Sequence, residues 1–151
     1  RNITRCSLYL ITWKETHMEL SQLNYNQAAE VGHEFNLRLP TGAETDIKLT
    51  VIGDLSKPVK AYSRRKFQEY QQRQEIAKRK GKEIDLSLEE AEDTAVESAS
   101  IRLVNWSGLT EGGKEVKYSK EKAGELLRDN AWIREQIMEE AADVTNFQPK
   151  A

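Results

Sequence analysis

Apolar and polar residues alternate twice in the first third of the chain. Phe35, Leu37 and Leu39 are separated by single polar residues, and Ile47, Leu49 and Val51 repeat the pattern. Period-two alternation predicts strands with one buried face. Pro40-Thr41-Gly42 lies between them and is turn chemistry. Residues 35–54 therefore read as a β-hairpin. The connection from Pro40 to Asp46 is longer than a two-residue turn, which leaves the register open.

From residue 60 to 147 the spacing becomes helical. Tyr62 to Lys80 is rich in Gln, Glu, Arg and Lys and free of Pro and Gly, a composition of good helix formers. Its apolar residues, Phe67, Tyr70, Ile76 and Ala77, form only a thin stripe, and Gly81 is a natural stop. Ser87-Leu88-Glu89-Glu90 is a capping box that opens a second helix, with Leu86 placed to staple onto Ala91. Leu88, Ala91, Ala95, Ala99, Leu103 and Trp106 follow at spacings of three and four, so this helix is expected to reach Trp106. Gly108, Gly112 and Gly113 mark a loop from Ser107 to Tyr118. Ser119 caps a short helix carrying Ala123, Leu126 and Leu127, which Asp129-Asn130 breaks. Ile133, Ile137, Ala141 and Val144 form the clearest amphipathic row, with Phe147 after it and Pro149 as its end. The predicted fold is α+β, predominantly α-helical: an N-terminal β-hairpin followed by about four helices.

Residues 1–17 differ in character from the remainder of the chain. They begin at Arg1 and hold Cys6, Trp13 and the short apolar run Leu8 to Ile11. The run is too short to span a membrane, and no small-residue cleavage site comes after it. The segment reads as a non-native or upstream-derived leader, with Met18 the natural start; a true N-terminal strand is the alternative. Residues 18–151 are then expected to form a single domain.

Composition narrows the function. Hydrophobic residues make up 38% and charged residues 32%, a thin core with a large wetted surface. No stretch approaches the roughly 20 apolar residues of a spanning helix. One cysteine excludes a disulfide scaffold, and two histidines leave little material for a metal site. The net charge of −2 hides an uneven distribution. Residues 60–82 hold nine basic and two acidic side chains, a balance of +7, and residues 83–97 hold seven acidic and none basic, a balance of −7. Adjacent blocks of opposite sign favour helix pairing or subunit docking over nucleic acid, which the acidic block would repel. Arg64-Arg65-Lys66 and Lys78-Arg79-Lys80, with Phe67 and Tyr70 between, are the residues that a phosphate-gripping helix would use.

No nucleophile motif, phosphate-cradling loop or metal spacing is present. His33 stands alone beside Glu34, where a satisfied or solvent-facing role is expected. Glu89-Glu90, Glu92-Asp93 and Glu139-Glu140 sit on predicted polar helix faces, and carboxylate pairs act in acid–base chemistry only where a cleft shifts their pKa values. Trp106 and Trp132 either lid a small core or anchor a partner. The expected protein is non-catalytic, with no cofactor and no metal.

The order of features carries a resemblance. Phe35-x-Leu37-x-Leu39-Pro40-Thr41-Gly42, the 47–54 strand and a charged helix come first. Val104-Asn105-Trp106-Ser107-Gly108-Leu109 and Gly113 to Leu127 come next, then Trp132-Ile133-x-x-Gln136-Ile137 and Ala142-Asp143-x-x-Asn146-Phe147. From Phe35 to Phe147 the chain resembles the tail assembly chaperones of long-tailed bacteriophages. That resemblance implies a protein that binds and solubilises the tape measure protein and helps recruit tail tube subunits. It implies self-association into a spiral or ring, work in the host bacterial cytoplasm, and absence from the mature virion. A small nucleic-acid-binding prophage regulator using the basic helix 60–82 and a tail structural or connector protein are the alternatives. On the chaperone reading, a client helix would lie on an apolar stripe of Trp132, Ile133, Ile137, Val144 and Phe147 with Leu103 and Trp106 beside it. Register between copies would come from Arg64, Arg65, Lys66, Lys78, Arg79 and Lys80 opposite Glu89, Glu90, Glu92 and Asp93.

Overall fold

The computed structural model describes residues 18–149. The expected leader, with Cys6 and Trp13, lies outside them. A 3-10 turn, Leu20–Leu23, leads into a short helix α1, Tyr25–Val31, which the hydrophobic pattern had not announced. Asn24 caps it by accepting from Gln27 N at 3.3 Å, and Ala29 is its one buried residue.

The predicted hairpin is present as β1, His33–Arg38, and β2, Glu44–Val51, with Phe35 opposite Leu49 and His33 opposite Val51. Pairing shifts between Asn36 and Arg38, where Thr45 Oγ1 donates to Leu37 O at 2.7 Å. The chain then leaves the sheet for two helices. The first, α2, runs over Lys57–Arg79, starting earlier than composition suggested because Ser56 and Pro58 suit a helix N-terminus. The second, α3, runs over Leu88–Arg102. Its capping box is formed: Ser87 Oγ accepts from Glu90 N at 3.1 Å, and Ser87 N donates to Glu90 Oε2 at 3.3 Å.

Two expectations for this helix need correction. Its core-facing residues are Val96 and Ala99, while Leu88, Ala91 and Ala95 are exposed. It also stops at Arg102. Leu103–Ser107 is a strand, β3, antiparallel to β2, so the sheet order is β1-β2-β3. Leu103 and Trp106 are both buried although residues three apart on a regular strand face opposite sides. The pairing shift between Thr50 and Val51 reconciles the two, placing Leu103 opposite Val51 and Trp106 opposite Leu49. That irregularity is what let a strand mimic helical spacing.

The expected loop from Ser107 to Tyr118 contains a small hairpin, β4 (Thr110–Glu111) and β5 (Lys114–Glu115), turned by Gly112 and Gly113 at φ 56 and 77. Ser119 caps α4, Lys120–Asp129, by accepting from Lys122 N at 3.2 Å. The last helix, α5, spans Ala131–Ala142. Asn130 precedes it but makes no side-chain cap; its amide donates backwards to Leu126 O at 2.9 Å. A final 3-10 turn, Val144–Asn146, brings Phe147 onto the core. The core lies where the inner sheet face, through Leu49, Leu103 and Trp106, meets Ala99, Leu127 and Ile137 of the helices. The α+β architecture is the predicted one. Among the described residues no helix is long and apolar enough to cross a membrane.

Candidate functional site

The row expected to bind a client is mostly interior. Leu103, Trp106, Ile133, Ile137 and Phe147 are buried in the core. Trp106 is fixed twice, donating from Nε1 to Val116 O at 2.7 Å and meeting Tyr118 edge-on at 5.0 Å. Trp132 is half-buried against the same core, and only Val144 is exposed. These seven residues therefore form no continuous exposed stripe, although Trp106 lines a cavity of about 280 Å³ with Leu109, Val116 and Leu126, and Val144 and Phe147 line one of about 200 Å³. The helical spacing that suggested a free face instead closes the sheet, because a three-stranded sheet has one side to cover and α3 and α5 cover it.

Exposed apolar side chains lie elsewhere: Met18, Leu20, Leu23 and Val31 near the start of the described residues, and a larger group on the α2–α3 hairpin. Phe67 is 61% exposed, Tyr70 45%, Ile76 51%, Leu86 57% and Leu88 79%. The reason is geometric. At 1.5 Å per residue α2 is about 35 Å long, yet its buried residues, Val59 and Tyr62, both fall in its first two turns. The remainder lies along α3 and projects past the core.

Charge holds it there. Lys66 Nζ lies 2.7 Å from Glu97 Oε2, and Arg73 Nη2 lies 3.1 Å from Glu90 Oε1. Between them along α3, Asp93 Oδ1 takes Arg128 Nη1 of α4 at 2.8 Å. Arg65 and Lys66 also reach Glu69, and both lie over the Tyr62 ring at 5.5 and 5.7 Å. The hydrogen bond to Glu97 holds the Lys66 ammonium above its ordinary range. Burial pushes the Tyr62 phenol up, and its hydroxyl donates to Thr94 O at 3.3 Å. Each ion pair is half-exposed and screened by solvent, so the contact is orienting rather than rigid.

The expected contact between opposite charge blocks is thus formed within one chain. Lys66 and Glu90 are engaged in it, through Glu97 and Arg73; Asp93 pairs instead with Arg128 of α4, and Arg65 with Glu69. Among the described residues Arg64, Lys78, Arg79, Lys80, Glu89 and Glu92 make no ion pair. Between the helices runs a groove of about 520 Å³, lined by Tyr70, Leu86, Ala91 and Thr94 with the Lys66–Glu97 and Arg73–Glu90 pairs at its rim. Its lining combines apolar side chains with charged ones, a mixture that an amphipathic segment could meet.

Titratable chemistry is sparse. Among the described residues no group of three His, Cys, Asp or Glu side chains is placed to hold a metal ion. His33 Nε2 lies 3.4 Å from Glu140 Oε2, its ring stacked on Phe35 and edge-on to Phe147. Two contacts escaped the sequence reading. Gln136 pairs with the backbone of Arg38, accepting from its N at 3.0 Å and donating to its O at 2.8 Å, which closes one end of the open β1 edge. Arg102 is buried and bonded to Asp54. A basic residue in the last turn of a predicted helix is the only signal for the latter.

Comparison with known proteins gives one match. Residues 57–151, from the first residue of α2 onward, match the family model described as YdaY prophage protein. No curated protein and no solved structure matches the chain.

Proposed function

This chain belongs to the YdaY prophage protein family, and we propose that it is a non-catalytic tail assembly chaperone. In this reading it binds the tape measure protein, keeps it soluble and helps recruit tail tube subunits. It acts in the host bacterial cytoplasm and leaves before the virion matures. The family match supports the prophage setting, and the order of sequence features from Phe35 to Phe147 supports the chaperone role.

The observation that carries the proposal is the groove between α2 and α3. It gathers Tyr70 of α2, Leu86 of the connection and Ala91 of α3 among charged side chains, and α2 itself buries no residue beyond Tyr62. A client helix would lay its apolar side there, and the rim pairs would exchange partners with it. Co-expression with a tape measure fragment tests this. Tyr70→Asp combined with Leu86→Asp places charge in the groove without touching the core. That variant is expected to fold and to leave the client insoluble. Undiminished solubilisation would exclude the groove as the client site. If wild-type chain also fails to keep the fragment soluble, the chaperone role itself is wrong. Recovery of the chain from purified virions would favour a structural tail protein instead.

A further inference from the structure

The β4–β5 hairpin and α4 leave a cleft between them. The hairpin, from Thr110 to Glu115, has no buried residue. It is nevertheless anchored at its base: Val116 N donates to Leu109 O at 2.8 Å, and Val116 O accepts from Trp106 Nε1 at 2.7 Å. On α4, Ala123 and Leu127 are the residues buried in the core. Lys122, Glu125, Leu126 and Asp129 recur at i, i+3, i+4 and i+7, so they share another face of the helix. That face is the helical wall of the cleft.

The cleft holds about 280 Å³, just below the range of small-molecule sites, about 300–1,000 Å³. It has room for a side chain or two. Its apolar lining is Trp106, Leu109, Val116 and Leu126, with the indole already fixed by Val116 O and by the edge of Tyr118. Its charged lining is three carboxylates, Glu111, Glu125 and Asp129, and one cation, Lys122. Lys122 Nζ lies 3.1 Å from Glu125 Oε2. That hydrogen bond, together with the charges of Glu125 and Glu111, holds the ammonium above its ordinary range. Among the described residues Glu111 and Asp129 make no ion pair. Two further cations belong to the same elements. Lys114 stands opposite Glu111 across the hairpin and offsets one carboxylate at most. Arg128 is turned to Asp93 of α3. The cleft therefore stays net negative around an apolar interior.

We propose that this cleft binds a partner polypeptide through a segment that joins an apolar side chain to a lysine or arginine. The apolar side chain enters against Trp106 and Leu126, and the cation meets Glu111, Glu125 and Asp129. Burial of the apolar group supplies the attraction, and the carboxylates choose the partner and set its orientation. Arginine suits the site best, because its fork can bridge two carboxylate oxygens. A polyanion is excluded by the same charges. The α2–α3 groove plays no part, so this site is independent of the client-binding reading.

Amide and indole NMR of the full chain tests it, with acetyl-Gly-Leu-Arg-Leu-Arg-Gly-amide as the probe, titrated to about 5 mM. Saturable shifts are expected at Thr110, Glu111, Leu126 and the Trp106 indole. A peptide with Glu in place of both Arg is expected to bind about fivefold or more weakly, and so is one with Gly in place of both Leu. Glu111→Gln with Asp129→Asn weakens binding of the first peptide by a similar factor. Both residues are exposed, so circular dichroism stays unchanged. Absence of a saturable shift, equal binding of the Arg and Glu peptides, or full binding by the double variant each overturn the proposal. Shifts centred on α2 and α3 overturn it as well. If butylamine alone reproduces the shifts at equal strength, the cleft takes a free amine and the polypeptide reading is wrong. The groove variant with Tyr70→Asp and Leu86→Asp is expected to bind this peptide normally, which separates failure of this site from failure of the client groove.

Discussion

Arg102, buried at the end of α3, donates from Nε to Asp54 Oδ1 at 2.7 Å across the turn that links β2 to α2. Its Nη1 also donates to Ser98 O at 2.7 Å and Ser98 Oγ at 2.9 Å. The same turn is held by Gly53 N donating to Ala29 O and Asp54 N donating to Ala141 O. One guanidinium thus ties the exit of the sheet to the last turn of α3, and it sets where the projecting α2 begins.

Asp54→Ala should therefore destabilise the fold although Asp54 itself is only partly buried. It leaves a buried cation short of its charged acceptor, at a cost of about 1–3 kcal/mol. Urea unfolding measures this directly. A midpoint equal to wild type would show that the Ser98 contacts alone satisfy Arg102.

Ile137 is fully buried, so its variants report on stability rather than on client contact. Ile137→Ala is expected to cost about 2–4 kcal/mol, and Ile137→Asp to prevent folding by burying an unpaired charge. Thermal melts followed by circular dichroism decide the matter. A well-folded Ile137→Asp protein would contradict a core centred on this residue.

Gly108 and Gly112 both have positive φ, at 80 and 56, but differ in surroundings. A Cβ at Gly108 would stand 2.9 Å from Asp46 O and 3.3 Å from Ile47 Cα, backbone atoms that cannot swing aside. At Gly112 nothing lies within 4 Å. Gly108→Ala should cost about 2–3 kcal/mol through clash and strain together. Gly112→Ala should cost about 1 kcal/mol from strain alone. Equal costs in denaturant titrations would mean that β2 yields at Asp46.

High pH should loosen α2 from α3. Lys66 is held above its ordinary value by the hydrogen bond to Glu97, and Tyr62 by burial. Both folded values exceed the unfolded ones. The stabilisation is therefore complete below the unfolded values and fades as pH rises through the folded values, above about pH 10. Amide exchange along α2, followed with phenolate absorbance, should show protection falling there, and Lys66→Met should remove the lysine share. Protection in α2 that is flat through this range would deny these two groups any part in holding the hairpin.

The elements that were legible in the sequence rest on local chemistry. The alternation around Leu37 and Leu49, the Ser87–Glu90 box and the Ser119 cap involve residues within a few positions of one another. Two misreadings share one cause. Leu103 and Trp106 carry helical spacing because a pairing irregularity against β2 makes it serve a strand. The row Leu88, Ala91 and Ala95 is amphipathic in sequence, but the core begins only at Val96, so the row stays in solvent. Periodicity records which side of an element is apolar; it does not record what stands opposite.

The candidate site divides along the same line. By itself the sequence determined the first hairpin, most of the helices after it, the opposite charge blocks and the lack of a recognisable catalytic motif, since each is a property of neighbouring residues. Tertiary structure alone decided that the α5 row is interior and that the groove lies between α2 and α3. It also decided which charges are paired within the chain and which, among the described residues, are not. Those outcomes depend on distances between residues such as Lys66 and Glu97 or Asp54 and Arg102, far apart along the chain and brought together only when the sheet and helices share one core.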